Sequence, residues 1–151
     1  MSLNHGLRRV LLIEDDREDC EVFAWAIKDV SHILELDCCS DCLAAPEKIA
    51  TFSPDIIFLD LKLPYKNGLQ YLEELAVRSN LGHVPVVIYS SQMNPLDVKE
   101  AARLGAKIYF EKPHSYTELV DGLKDILSKQ AWESYTTDPV LLRDGVYLAI
   151  G

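Results

Sequence analysis

The stretch IIFLDLKLP, residues 56–64, decides the fold of this chain. Its first four residues are all apolar, which is typical of a strand buried on both faces of a parallel sheet. Four further short apolar runs lie at residues 10–13, 33–39, 84–89 and 108–110. Between these runs, apolar residues recur at intervals of three and four, which predicts helices. The alternation predicts an α/β fold with a doubly wound five-stranded parallel sheet and helices on both faces.

Polar side chains follow four of the five predicted strands. Glu14 and Asp15 follow the first strand, Asp60 the third, Ser90 ends the fourth, and Lys112 follows the fifth. Parallel strands bring their carboxyl ends to the same edge of a sheet, so these side chains should meet there. Clustered carboxylates repel each other, and a hard divalent cation such as Mg²⁺ relieves the repulsion.

Acids, Mg²⁺, a lysine and a hydroxyl together form a site for phosphoryl transfer. Asp60 is the best candidate nucleophile, because it stands alone at the end of a central strand and aspartate can accept a phosphoryl group. Glu14 and Asp15 are better suited to bind the metal. Taken singly, such residues are often only helix caps or turns, and Asp16 is expected to cap the helix over residues 17–30. Their joint occurrence at successive strand ends favours a site.

Composition limits the possible functions. The 151 residues suit one domain with its own core. The net charge of −9 argues against binding to nucleic acid or to anionic membranes. No apolar run reaches the roughly 20 residues of a membrane span, and without an export signal the cytoplasm is expected. Cys39 and Cys42 form a single C-x-x-C, for which free thiols are a better interpretation than zinc binding.

The strand ends resemble the receiver domain of two-component response regulators, and specifically single-domain regulators like those of chemotaxis. The resemblance covers residues 8–130. Residues 12–16, LIEDD, resemble the acidic pocket of that family. Residues 57–64 with the following Gly68 resemble the phosphoacceptor segment, and residues 104–113, LGAKIYFEKP, resemble the last strand. The resemblance implies a flavodoxin-like strand order of 2-1-3-4-5.

The resemblance also implies a role for each site residue. Asp60 would accept the phosphoryl group, and Lys112 would contact it. Glu14, Asp15 and Asp60 would bind Mg²⁺ together with the backbone carbonyl of Lys62. The phosphoryl donor would be a sensor histidine kinase or a phosphotransfer protein. Only self-catalysed phosphotransfer and slow autodephosphorylation are expected, so the chain would be a switch and not an enzyme.

The same resemblance implies how the signal would leave the site. Ser90 would move to bond the phosphoryl group, and Tyr109 would then swing inward and change the fourth helix and fifth strand. A cis peptide bond is implied before Pro113. The output would be contact with a downstream protein or with a second copy of the chain.

Two alternatives belong to other functional classes. A haloacid-dehalogenase-like phosphohydrolase also uses a strand-end Asp with Ser, Lys and Mg²⁺, but it needs a second Asp where this chain has Lys62. A receiver-like interaction module without phosphorylation would not need the intact acids, Ser90 and Lys112.

The sequence also predicts how the chain is divided. Residues 1–7 are expected to be a disordered N-terminus, residues 8–130 the receiver domain, and residues 131–151 an extension too short for an output domain. The five apolar residues 146–150 at the end of that extension are expected to dock on a surface.

Overall fold

The computed structural model shows an α/β chain in which strands and helices alternate. It describes residues 7–77, 84–92, 94–128, 140–143 and 147–149. The strands are β1 (Arg9–Ile13), β2 (Glu35–Cys39), β3 (Ile56–Leu59), β4 (Val86–Ser90), β5 (Ile108–Glu111), β6 (Val140–Arg143) and β7 (Tyr147–Ala149). The helices are α1 (Arg17–Val30), α2 (Ala45–Phe52), α3 (Gly68–Val77), α4 (Pro95–Arg103) and α5 (Tyr116–Ile126).

The first five strands form a parallel sheet in the order β2-β1-β3-β4-β5. This confirms the predicted fold class and strand order. Strand β3 lies at the centre, where all four of its residues are buried. Its last residue, Leu59, is in register with Ile13 of β1 and Ile88 of β4. The residues that follow these strands therefore emerge side by side at one edge of the sheet.

The sheet continues beyond β5, which was not predicted. Strand β7 pairs antiparallel with β5, with Tyr109 opposite Leu148, and β6 pairs antiparallel with β7. Residues 146–150 were expected to dock on a surface, and three of them form β7, which pairs with the edge of β5. Residues 131–139, 144–146, 150 and 151 of the predicted extension lie outside the described residues, as do residues 129 and 130 before it.

Helices cover both faces of the parallel sheet and bury two apolar layers. In one layer, the rings of Phe23, Phe58 and Tyr89 meet edge to face, with Phe23 and Phe58 centred 5.1 Å apart. Helix α1 begins as predicted, because the Asp16 side chain accepts a hydrogen bond from the backbone N–H of Asp19. This cap turns the chain into α1 directly after the acidic segment.

Two expectations from the sequence differ from the structure. The peptide bond before Pro113 is trans, so the implied cis bond is wrong. Leu7, assigned to a disordered N-terminus, is buried against the core, whereas residues 1–6 lie outside the described residues. None of the described helices is long and apolar enough to cross a membrane.

Candidate functional site

Backbone hydrogen bonds hold the strand ends of the predicted site together. The N–H of Asp60 donates to the carbonyl of Ile13 at 3.0 Å, which ties the end of β3 to β1. The N–H of Lys112 donates to the carbonyl of Ser90 at 2.6 Å, which ties the end of β5 to β4. The site residues are therefore placed by the sheet itself.

The side chain of Lys112 is the centre of the site. Its ammonium lies 2.6 Å from Glu14 Oε1, 2.9 Å from Asp19 Oδ2 and 3.4 Å from Asp60 Oδ2. A lysine ammonium has three N–H donors, so each can be directed at one of these acids. The structure brings Glu14, Asp60 and Lys112 together as predicted and adds Asp19, which the sequence analysis did not assign to the site.

Three carboxylates of the site could hold a metal ion. Glu14, Asp15 and Asp60 each offer an oxygen, and these oxygens lie within 4.8 Å of one another. Glu14 and Asp60 are buried, while Asp15 is exposed and faces the entry from solvent. The second carboxyl oxygen of Glu14, Oε2, is buried without a hydrogen-bond partner. A buried oxygen without a partner carries a cost that a bound cation would remove, so the residues fit a hard divalent ion.

The crowding of acids changes their protonation. Burial, with the neighbouring carboxylates of Asp60 and Asp19, raises the pKa of Glu14 to about 10, and Lys112 offsets only part of this. Burial alone would lower the pKa of Lys112, but its hydrogen bonds to Glu14 and Asp19 outweigh burial and raise it. Lys112 therefore stays charged. Among the residues that the structure describes, it is the cation that contacts these acids.

Both carboxylate oxygens of Asp60 have a partner: Oδ2 contacts Lys112, and Oδ1 contacts the backbone. Asp60 Oδ1 accepts a hydrogen bond from the backbone N–H of Lys62 at 3.1 Å, whereas the Lys62 side chain is exposed. Gly68 packs against the same segment, and its N–H donates to the carbonyl of Leu61 at 2.8 Å. A Cβ at residue 68 would lie 2.7 Å from the Cα of Leu61 and closer still to the carbonyl of Asp60. Glycine is required here because the backbones approach so closely.

Ser90 and Tyr109 are joined through one residue that the sequence analysis missed. The backbone N–H of Gln92 donates to Ser90 Oγ at 3.4 Å, and the Tyr109 hydroxyl donates to the Gln92 carbonyl at 2.9 Å. Tyr109 is fully buried, so its ring already occupies the inward position that was expected only after Ser90 moves. The switch roles of Ser90 and Tyr109 stay predictions.

Sequence signals for the two missed residues differ. Asp19 lies three residues after the cap Asp16, in the first turn of α1, where an acid is usually explained by the helix dipole alone. Gln92 acts through its backbone, which leaves no sequence signal. The C-x-x-C cysteines, Cys39 and Cys42, are buried with free thiols, as expected.

Residues 10–124 match the family of the response regulator receiver domain. The chain belongs to this family. Its members are signalling switches and not classical enzymes, and the phosphohydrolase alternative is not favoured.

Individual relatives agree with this family. The receiver is 29% identical to the response regulator protein GraR of Staphylococcus epidermidis over 128 residues. This alignment covers 78% of this chain and 50% of that protein. The chain thus spans about half the length of this curated relative. It is 25% identical to the phosphorylated cyanobacterial phytochrome response regulator RcpA, with a TM-score of 0.71 over 80% of this chain and 94% of that one.

A second solved structure bears on the metal. The receiver is 28% identical to response regulator Rcp1 in its Mn²⁺-bound form, with a TM-score of 0.69 over 85% of this chain and 97% of that chain. That response regulator thus binds a divalent metal, and in this chain the cluster of Glu14, Asp15 and Asp60 suits such an ion.

The protonation of Glu14 predicts how stability depends on pH. Without metal, the free energy of unfolding should fall between about pH 5 and about pH 9, because the folded chain keeps a proton that the unfolded chain has lost. The slope for one such group is at most about 1.4 kcal/mol per pH unit. Glu14→Gln has no such proton, so its unfolding free energy should depend less on pH.

Urea unfolding in a chelator across this pH range would measure the effect. Glu18→Gln makes the same chemical change at an exposed acid outside the site and serves as the control, which should keep the wild-type slope. An unchanged slope in Glu14→Gln would show that Glu14 is already ionised in the folded protein.

Proposed function

We propose that this receiver accepts a phosphoryl group on Asp60 in the presence of Mg²⁺ and thereby switches a protein-binding surface. The observation that supports this most is the position of the Asp60 carboxylate: its Oδ2 lies 3.4 Å from the Lys112 ammonium, and one of its oxygens lies within 4.8 Å of oxygens of Glu14 and Asp15. A nucleophilic carboxylate thus lies between a fixed cation and a group of metal-binding oxygens.

The residues of the site suit an in-line transfer. An Asp60 oxygen would form the new O–P bond while the bond from phosphorus to the donor breaks, and the donor group leaves with the electron pair. Bound Mg²⁺, held by Glu14, Asp15, Asp60 and the carbonyl of Lys62, would supply positive charge to the phosphoryl oxygens. Lys112 would bind one of those oxygens.

Ser90 would bind a second phosphoryl oxygen. Its hydroxyl lies at the end of β4 and is hydrogen-bonded to the backbone of Gln92. The Ser90 oxygen accepts the bond from Gln92, so the Ser90 hydroxyl could donate its proton to a phosphoryl oxygen, which is a strong acceptor.

The phosphoryl donor would be a sensor histidine kinase or a phosphotransfer protein. The support is family membership, because response regulators work in two-component systems with such partners. We further propose that the switch acts in the cytoplasm, where its four cysteines would stay reduced.

The assignment predicts the outcome of one substitution. Incubation with Mg²⁺ and acetyl phosphate, a small phosphodonor, should raise the intact mass of the wild type by one phosphoryl group. Asp60→Asn should show no gain, because an amide is not nucleophilic enough to replace the carboxylate. Asp121→Asn on α5 makes the same chemical change elsewhere and should gain mass normally. A gain that persists in Asp60→Asn would place the acceptor at another residue, and no gain in the wild type would contradict the function.

The proposed output surface is the exposed side of α4. This helix starts just after Gln92 and carries Leu96, Lys99 and Arg103 on the outside, with Leu96 77% exposed. An apolar side chain beside two cations suits a specific, reversible protein contact. The neighbouring β5 edge is covered by β7, so a partner strand could pair with β5 only by displacing β7. The downstream partner would be a target protein or a second copy.

Reversing the charges of α4 tests this surface. With the phosphoryl mimic beryllofluoride, sedimentation velocity should show self-association or binding to an added purified kinase. The double variant Lys99→Glu with Arg103→Glu should weaken this association at least several-fold. Arg17→Glu with Lys28→Glu, on α1, makes an equal change of charge as the control for self-association. If the α4 variant associates like the wild type, or if no complex responds to the mimic, the output surface lies elsewhere.

A further inference from the structure

The Lys112 ammonium has an acidic partner outside the metal-binding cluster. Two of its three carboxylate partners, Glu14 and Asp60, also belong to the group of acids that could hold a cation. The third, Asp19, lies on α1 and contacts Lys112 at 2.9 Å. Asp19 is not among the three acids whose oxygens lie within 4.8 Å of one another.

We propose that Asp19 is a positioning residue that keeps the Lys112 ammonium beside Asp60 while the other two acids are engaged. This inference rests on the proposed phosphorylation of Asp60. Asp19 would not touch the phosphoryl group, and it would act only through Lys112.

Competition for the acids is the first argument. A divalent cation bound at the cluster would be coordinated by oxygens of Glu14 and Asp60. Their interactions with the Lys112 ammonium would then become weaker. Transfer then changes the Asp60 oxygen itself, because its contact with the ammonium passes to the phosphoryl group. Asp19 lies outside the group of acids that could hold the cation, so its carboxylate would keep its contact with Lys112 throughout this sequence.

The local structure of Asp19 is the second argument. Its backbone N–H is held by the cap residue Asp16, so the first turn of α1 presents the carboxylate from a rigid position. Its side chain is 41% exposed, so it avoids most of the burial that Glu14 undergoes. Burial tends to raise its pKa, but Glu14 and Lys112 outweigh this and lower it, so the carboxylate is ionised.

The third argument is that a second side chain besides Asp19 restrains the Lys112 ammonium. The ammonium also lies 5.3 Å from the centre of the Tyr89 ring, which supports the side chain from the core. Tyr89 and Asp19 both contact the Lys112 ammonium, and Asp60 Oδ2 lies 3.4 Å from the same nitrogen. Without Asp19, the flexible side chain would lose its solvent-side restraint.

Phosphorylation kinetics test the role. At saturating Mg²⁺ and subsaturating acetyl phosphate, Asp19→Asn should be phosphorylated about tenfold more slowly than the wild type, the order of factor that one charge-assisted hydrogen bond accounts for. Asp19→Glu keeps the charge and should recover most of the rate. Glu18→Gln, the adjacent exposed acid on α1, makes the same change of charge and should stay within about twofold of the wild type, as expected for an exposed charge. Equal rates for Asp19→Asn and Glu18→Gln would overturn the proposal.

A second readout does not depend on phosphorylation. In the metal-free protein, the ¹⁵N-detected signal of the Lys112 ammonium should shift and its protons should exchange faster with water in Asp19→Asn, but not in Glu18→Gln. An unchanged Lys112 signal would overturn the positioning role. If the wild type takes no phosphoryl group, the proposed function fails, and this signal still decides whether Asp19 holds Lys112.

Discussion

The mutual repulsion of buried carboxylates is the constraint on which the rest of this site depends. Four acids, Glu14, Asp15, Asp19 and Asp60, lie around the single ammonium of Lys112. One lysine cannot balance them, so Glu14 holds a proton far above its ordinary range and keeps one oxygen without a partner. The sheet makes this arrangement persist, because backbone hydrogen bonds between adjacent strand ends hold the acids in place. The unbalanced negative charge favours the binding of a divalent cation at these acids.

The same constraint connects the site to the surface. The Lys112 ammonium lies 3.4 Å from Asp60 Oδ2, so a phosphoryl group on Asp60 would change what Lys112 contacts, and we propose the same for Ser90. Ser90 and Tyr109 both bond the backbone of Gln92, and α4 starts at Pro95, with Asn94 as its cap. We propose that a change at Ser90 would reach Gln92 and then α4. Tyr109 is already buried, so the change would be a new arrangement of Gln92 and not an inward movement of the Tyr109 ring.

Much of the fold could be predicted because apolar runs such as residues 56–59 mark buried parallel strands, and parallel strands share one edge. This reasoning also placed Glu14, Asp60 and Lys112 together. It could not identify Asp19, since an acid in a first helical turn has a sufficient local explanation. The pairing of β7 with β5 was missed because it depends on contacts between residues about 40 positions apart, which no local pattern encodes. Gln92 contributes only peptide groups, which every residue has.

The most direct measurement of the central claim is the change in amide NMR signals when the receiver is phosphorylated with Mg²⁺ present. The account predicts that wild-type shifts extend from Asp60 through Gln92 and Tyr109 to the exposed side of α4. It also predicts that Ser90→Ala still gains the phosphoryl mass but confines its shifts to the strand ends around Asp60. Shifts in Ser90→Ala that match those of the wild type along α4 would contradict the route, and the absence of any change on α4 in the wild type would contradict the switch itself.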